Sequence, residues 1–124
     1  MATMTVPIGL DVRPQEWETV RRILQRLVPD REVWAFGSRV DGRAWAFSDL
    51  DLAIGGDAPL PAARRAELRE AFVESDLPWK VDLVDLASAS DAFRRIVQNR
   101  RVRLQAAAPA SGANPCLVEA TPVS

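Results

Sequence analysis

At 124 residues the chain has room for one domain with a modest core and none for a second. Sixteen lysines and arginines against 17 aspartates and glutamates leave a net charge of −1, so binding to nucleic acid or membrane through bulk charge is disfavoured. The absence of histidine and the single cysteine, Cys116, exclude an internal disulfide and a zinc site of the usual nitrogen and sulfur ligands; any metal must be held by oxygen, which favours Mg²⁺ or Mn²⁺.

The opening MATMTVPIGLDVR has neither a basic start nor a long apolar core, and no later run approaches a membrane span, so a cytoplasmic protein is expected. RPQEWETVRRILQRLV follows, with Pro14 near a helix start and Trp17, Val20, Ile23, Leu24 and Leu27 at helical spacing. EVWAFGS reads as a short strand ending at Gly37, and RVDGRAW leaves room only for a short helix or turn. In SDLDLAIGG the residues alternate, Asp49, Asp51 and Ala53 on one face and Leu50, Leu52 and Ile54 on the other, until Gly55-Gly56 turns the chain. LPAARRAELREAFVES is rich in helix formers and has Pro61 near its first turn. WKVDLVDL is a third strand, and SDAFRRIVQNRRVRL reads as one final helix capped by Ser88 or Ser90. The order α-β-(α)-β-α-β-α implies an α/β (α+β) sandwich, a small sheet with helices packed on it. Residues 1–105 form the expected domain; residues 106–124, poor in large apolar side chains and rich in Ala, Pro, Ser and Gly, are expected to be a disordered tail that carries Cys116.

The two aspartates inside the second strand carry the chemistry. Residues i and i+2 of a strand point the same way, about 6.5–7 Å apart at Cα, so Asp49 and Asp51 project together and repel unless solvent or a cation relieves them. Asp82 alternates with Val81 and Leu83; if its strand lies beside the Asp49 strand, three carboxylates converge and suit a two-Mg²⁺ site for phosphoryl displacement. Asp85 is turned away from Asp82 and reads as a solvent-facing strand end. Trp34, Trp45 and Trp79 read as core or rim packing rather than base-stacking platforms, and the arginines of RRVRL as a solvated helix face.

A lone D-x-D is usually a surface turn and a lone Gly-Ser merely a turn. Joined as Gly37-Ser38, ten residues, then Asp49-x-Asp51, the pattern would arise by chance in roughly one chain in a thousand. With FGSRVDG, SDLDL and LPWKVDLVDL, the chain from about Glu16 to Leu104 resembles the DNA polymerase β-like nucleotidyltransferase superfamily, and more closely the minimal nucleotidyltransferase (MNT) antitoxins of HEPN–MNT toxin–antitoxin pairs. The resemblance implies the polymerase β palm-like fold and transfer of AMP from ATP to a hydroxyl, in those pairs a tyrosine of the HEPN RNase toxin. It further implies that Gly37 and Ser38 hold the β and γ phosphates, that Asp49 and Asp51 hold two metal ions, and that Asp82 completes the site beside the activated hydroxyl. Arg39 or Arg43 would neutralise phosphate charge. This chain has no tyrosine of its own to modify. Two other readings remain open: a small-molecule (aminoglycoside-type) nucleotidyltransferase, which would need a further helical domain, and a non-catalytic binding antitoxin.

Overall fold

The computed structural model describes residues 5–108. Helix α1 spans Pro14–Leu27. Its start is satisfied locally, because Pro14 has no N–H to leave unpaired and the Arg13 N–H donates to Glu16 Oε1 at 2.9 Å. Trp17, Val20, Ile23 and Leu24 form its buried face. Strand β1 (Val33–Phe36) leads through a one-turn helix α2 (Ser38–Asp41) to β2 (Leu50–Ile54). Helix α3 (Ala62–Val73) crosses to β3 (Val81–Asp85). After a 3₁₀ turn, helix α4 (Asp91–Asn99) is capped by Ser90, whose Oγ accepts the Phe93 N–H at 3.1 Å, and the chain returns as β4 (Val102–Gln105).

The strands lie side by side as β3-β2-β1-β4 in one mixed sheet. β1 is antiparallel to β2, with Phe36 opposite Asp51; β3 is parallel to β2, with Asp82 opposite Asp51. Helices α1 and α3 share one core with Val33, Ala35, Leu50, Leu52, Ile54 and Leu83. The pleat turns Phe36 to the other face, where α4 lays Phe93 edge-on against it at 5.7 Å. Leu50, Leu52 and Ile54 are at most 1 % exposed, and each such burial contributes about 1.5–3 kcal/mol. That pins the register of β2, since a slip by one residue would drive Asp49 and Asp51 into the core. No helix among the described residues is long and apolar enough to cross a membrane.

Two expectations fail here. The last helix stops at Asn99, and Val102–Gln105 pairs antiparallel with β1. Without β4, β1 would be an open sheet edge; the arginines are exposed, as expected, but at a strand rather than a helix, where Arg101 stacks 4.5 Å over Trp34 and Arg103 pairs with Glu32 at 3.1 Å. Asp85 does face away from Asp82, but it is buried, because the segment before α3 folds back and the Leu60 N–H donates to Asp85 Oδ2 at 2.6 Å. Residues 106–108 still lie against the fold, with the Ala108 N–H donating to Pro29 O at 2.8 Å. The rest of the expected tail, Cys116 included, lies outside the described residues.

Candidate functional site

The site begins with the turn out of β1. Gly37 has φ 82° and ψ −156°, a region essentially reserved for glycine. Its carbonyl accepts the N–H groups of Val40 (3.0 Å) and Asp41 (2.9 Å), which closes α2, and Gly42 ends that turn in the left-handed conformation at φ 78°. A Cβ on Gly37 would run into Asp51 Oδ2 and lie 3.1 Å from Asp51 Cγ. The glycine is therefore required twice, by its backbone angles and by the carboxylate packed on its α-carbon.

Asp51 is half-buried, while Asp49 and Asp82 are exposed. Parallel pairing sets Asp82 beside Asp51, and Asp49, which immediately precedes β2 rather than lying in it, is near enough for its charge to act on Asp51. Burial pushes the Asp51 carboxyl up to about 6, with the negative charges of Asp82 and Asp49 and hydrogen-bonding contact with Asp82 adding to it. A carboxylate held in this state attracts a cation. Among the described residues no group of three acids encloses a metal unaided. The expected three-carboxylate cluster is therefore not closed by these side chains alone; Mg²⁺ binds through one or two carboxylates and takes its remaining oxygens from substrate phosphates and water, so they can hold it only together with such donors. The all-oxygen donor set fits that ion.

The raised Asp51 value fixes a pH dependence. The folded state holds the Asp51 proton more tightly than the unfolded chain, so its stabilising contribution is complete below about pH 4 and is lost as pH rises through about 6. In metal-free buffer Asp51→Asn, which cannot ionise, should melt above the wild type at pH 7.5, with the gap closing as pH falls toward 4. Parallel melting curves across that range would contradict the placement of Asp51 among like charges.

The two candidate phosphate-binding arginines have different fates. Arg39 is 5 % exposed and points inward. Its Nε donates to Ser48 O (2.9 Å), Nη1 to Asp11 O (2.8 Å) and Nη2 to Trp45 O and Ala46 O (3.3 and 3.2 Å), and the guanidinium lies 4.5 Å over the buried Trp79 ring. It fixes the loop that delivers Asp49 and is unavailable to a ligand. Nothing in the sequence distinguishes this arginine from its neighbours. Arg43, paired with Asp41 at 2.8 Å and largely exposed, lines a cavity of about 520 Å³ together with Ser38, Asp49 and Asp51. Trp45 and Phe47, 67 % and 60 % exposed and edge-on at 5.7 Å, form its outer wall. Of the tryptophans expected to pack in the core or at a rim, Trp79 is in the core and Trp45 stands exposed at the rim of this cavity.

A family model described as a nucleotidyltransferase domain matches residues 18–104. A probable protein adenylyltransferase MntA of Haemophilus influenzae is 53 % identical over 102 residues, spanning 82 % of this chain and 90 % of that protein. Among solved structures, a toxin–antitoxin crystallised with AMP-PNP superposes with TM-score 0.60 at 30 % identity, covering 71 % of each chain. A complex of tri-AMPylated Shewanella oneidensis HEPN toxin with MNT antitoxin superposes with TM-score 0.56 at 28 % identity, covering 73 % of this chain and 69 % of that one.

Proposed function

We propose that this chain, which belongs to the nucleotidyltransferase domain family, is an antitoxin that transfers AMP from ATP to a hydroxyl, a tyrosine in the simplest case, of a HEPN-domain toxin and thereby neutralises it. The observation that carries the reading is the pairing of Asp51 with Asp82 across β2 and β3, directly behind the Gly37-Ser38 turn. The similarity to a protein adenylyltransferase and to the antitoxin of an AMPylated toxin supports the choice of acceptor.

In this reading Ser38 and Arg43 hold the β and γ phosphates, and Gly37 lets the backbone come close to them. The acceptor oxygen forms a bond to the α-phosphorus as the bond from that phosphorus to the bridging oxygen of the β-phosphate breaks. Pyrophosphate leaves with the electron pair, and Asp82 takes the hydroxyl proton. Two Mg²⁺ or Mn²⁺ ions held by Asp49, Asp51 and Asp82 with phosphate oxygens would supply charge neutralisation at the transferring group. An ATP-consuming antitoxin of this kind works in the cytoplasm.

The partner to use in a test is the product of the reading frame adjacent to this chain's own. Mixed with the chain, ATP and Mg²⁺, it should gain one or more AMP units by intact mass, and excess chelator should abolish the gain. An unchanged mass, or full transfer in chelator, would sink the two-metal transferase reading.

A further inference from the structure

Asp49 sits at the end of the loop that leads into β2, and that loop has little packing of its own. Two hollows flank it: the cavity of Ser38, Arg43 and Asp51, and a second of about 450 Å³ walled by Asp11, Arg13, Glu16, Arg39 and Trp79. The loop's Trp45 and Phe47 border both and are 67 % and 60 % exposed. Its position is therefore set by hydrogen bonds more than by burial. We infer that Arg39 and the N-terminal segment, residues 6–13, form a clamp that sets Asp49, with Arg39 and Asp11 as positioning residues for the transfer reaction. The inference rests on the AMP-transfer reading and adds to it a working part that precedes the family's matched residues, 18–104.

Asp49 is anchored on both sides, and both anchors lead back to one guanidinium. Before it, Ser48 O accepts from Arg39 Nε at 2.9 Å; after it, the Leu50 N–H donates to Lys80 O at 2.9 Å, next to the Trp79 ring that the guanidinium covers. Arg39 Nη2 also holds the start of the loop through Trp45 O and Ala46 O. A planar fork spans these points, whereas a lysine ammonium has all its donors on one nitrogen. Arg39 is in turn held by Asp11 in both directions: the Asp11 N–H donates to Arg39 O at 2.8 Å, and Arg39 Nη1 donates to Asp11 O at 2.8 Å. Asp11 contributes main-chain atoms, so its place depends on its neighbours. Leu10 is 7 % exposed in the core and Val12 packs against the same cluster. Undocking that segment would leave Nη1 without its partner on a side chain only 5 % exposed. The guanidinium would have to move to regain one, and the loop would move with it.

The test uses the full chain, with Arg39→Lys at the centre of the clamp and Leu10→Ser at its base. Val28→Ala is the control for general loss of stability, since Val28 is buried near Gln105 and the start of β1, away from the loop. The first readout is hydrogen exchange of the metal-free chain at the Trp45, Ser48 and Leu50 amides, each of which donates a hydrogen bond. The second is transfer to the partner from the adjacent reading frame with ATP and Mg²⁺. Both clamp variants should speed exchange at these amides well beyond the control and lower kcat by about tenfold or more, with KM for the partner within about twofold. The double variant should be no slower than the slower single one, because both break the same linkage. Leu10→Ser leaves the guanidinium in place, so it judges the clamp even where Arg39→Lys does not fold. Loop exchange and kcat in Leu10→Ser that match Val28→Ala would overturn the clamp, as would a loss of rate with loop exchange unchanged. If the wild type transfers nothing, the transferase reading fails, and exchange in the metal-free chain still judges the clamp.

Discussion

A HEPN-domain partner treated with this chain, ATP and Mg²⁺ and then repurified alone should stay inactive, whereas partner treated with the Asp49→Asn, Asp51→Asn variant should recover once separated. Asparagine keeps the size of each side chain and removes the charge that would offset a cation and the developing charge on phosphorus. Loss of one such electrostatic group typically costs on the order of 10²- to 10³-fold in turnover. The fold should persist, because Asp49 is exposed and the ionised form of the half-buried Asp51 is disfavoured by burial and by the charges of Asp82 and Asp49. Circular dichroism and melting curves check that point. Durable inactivation follows from the chemistry of the product: a covalent AMP adds charge and bulk that no dissociation removes. Binding alone leaves no such mark. If wild-type chain inhibits only while it is bound, and the partner's mass never changes, the domain acts as a binding module and the enzymatic assignment is wrong.

How far the sequence alone reaches can be seen residue by residue. β2 was legible because a half-buried strand alternates with period two, and Leu50, Leu52 and Ile54 declare which face is core. The direction of Asp82 was legible for the same reason. Its position beside Asp51 was not, because the partner and register of β3 are set by the α3 crossover and by packing against β2, neither of which leaves a local signal. β4 was missed because Val102 and Leu104 are only two apolar positions, too few to separate a short strand from the end of a helix, and the decision is made by the open edge of β1. Arg39 and Asp85 share a different cause. Charged residues are expected outside, and both are buried beside backbone groups that other segments bring to them: four carbonyls accept from the guanidinium, while the Leu60 N–H donates to Asp85 Oδ2 and leaves the buried Oδ1 without a partner among the described residues. The comparison of Arg39 with Arg43 shows the practical consequence, since two arginines four residues apart in one motif turn out to brace the loop and to line the cavity respectively.

Gly37 offers the sharpest separation of scaffold from site, because Gly42 provides its own control. Both have positive φ, 82° and 78°, so an alanine at either strains the backbone, by about 1–2 kcal/mol. At Gly42 a Cβ meets nothing within 4 Å, and ψ of 17° lies in the left-handed well that other residues tolerate. At Gly37 the Cβ collides with the Asp51 carboxylate, and ψ of −156° offers no such well. Relief there requires Asp51 to move or β1 to separate from β2, and either displaces the carboxylate from its place beside Asp82. A displacement of about 1 Å at a reacting group can cost on the order of 10²-fold in rate. Gly42→Ala should therefore lose a little stability and keep its transfer rate. Gly37→Ala should lose more stability and at least about 10²-fold in transfer to the partner, read from single-turnover kinetics at saturating ATP. Combining Gly37→Ala with Asp51→Gly removes the collision, so the melting temperature should rise above that of Gly37→Ala while transfer stays absent. Equal rates for Gly37→Ala and Gly42→Ala would mean that the close approach of Gly37 to Asp51 plays no part in the reaction.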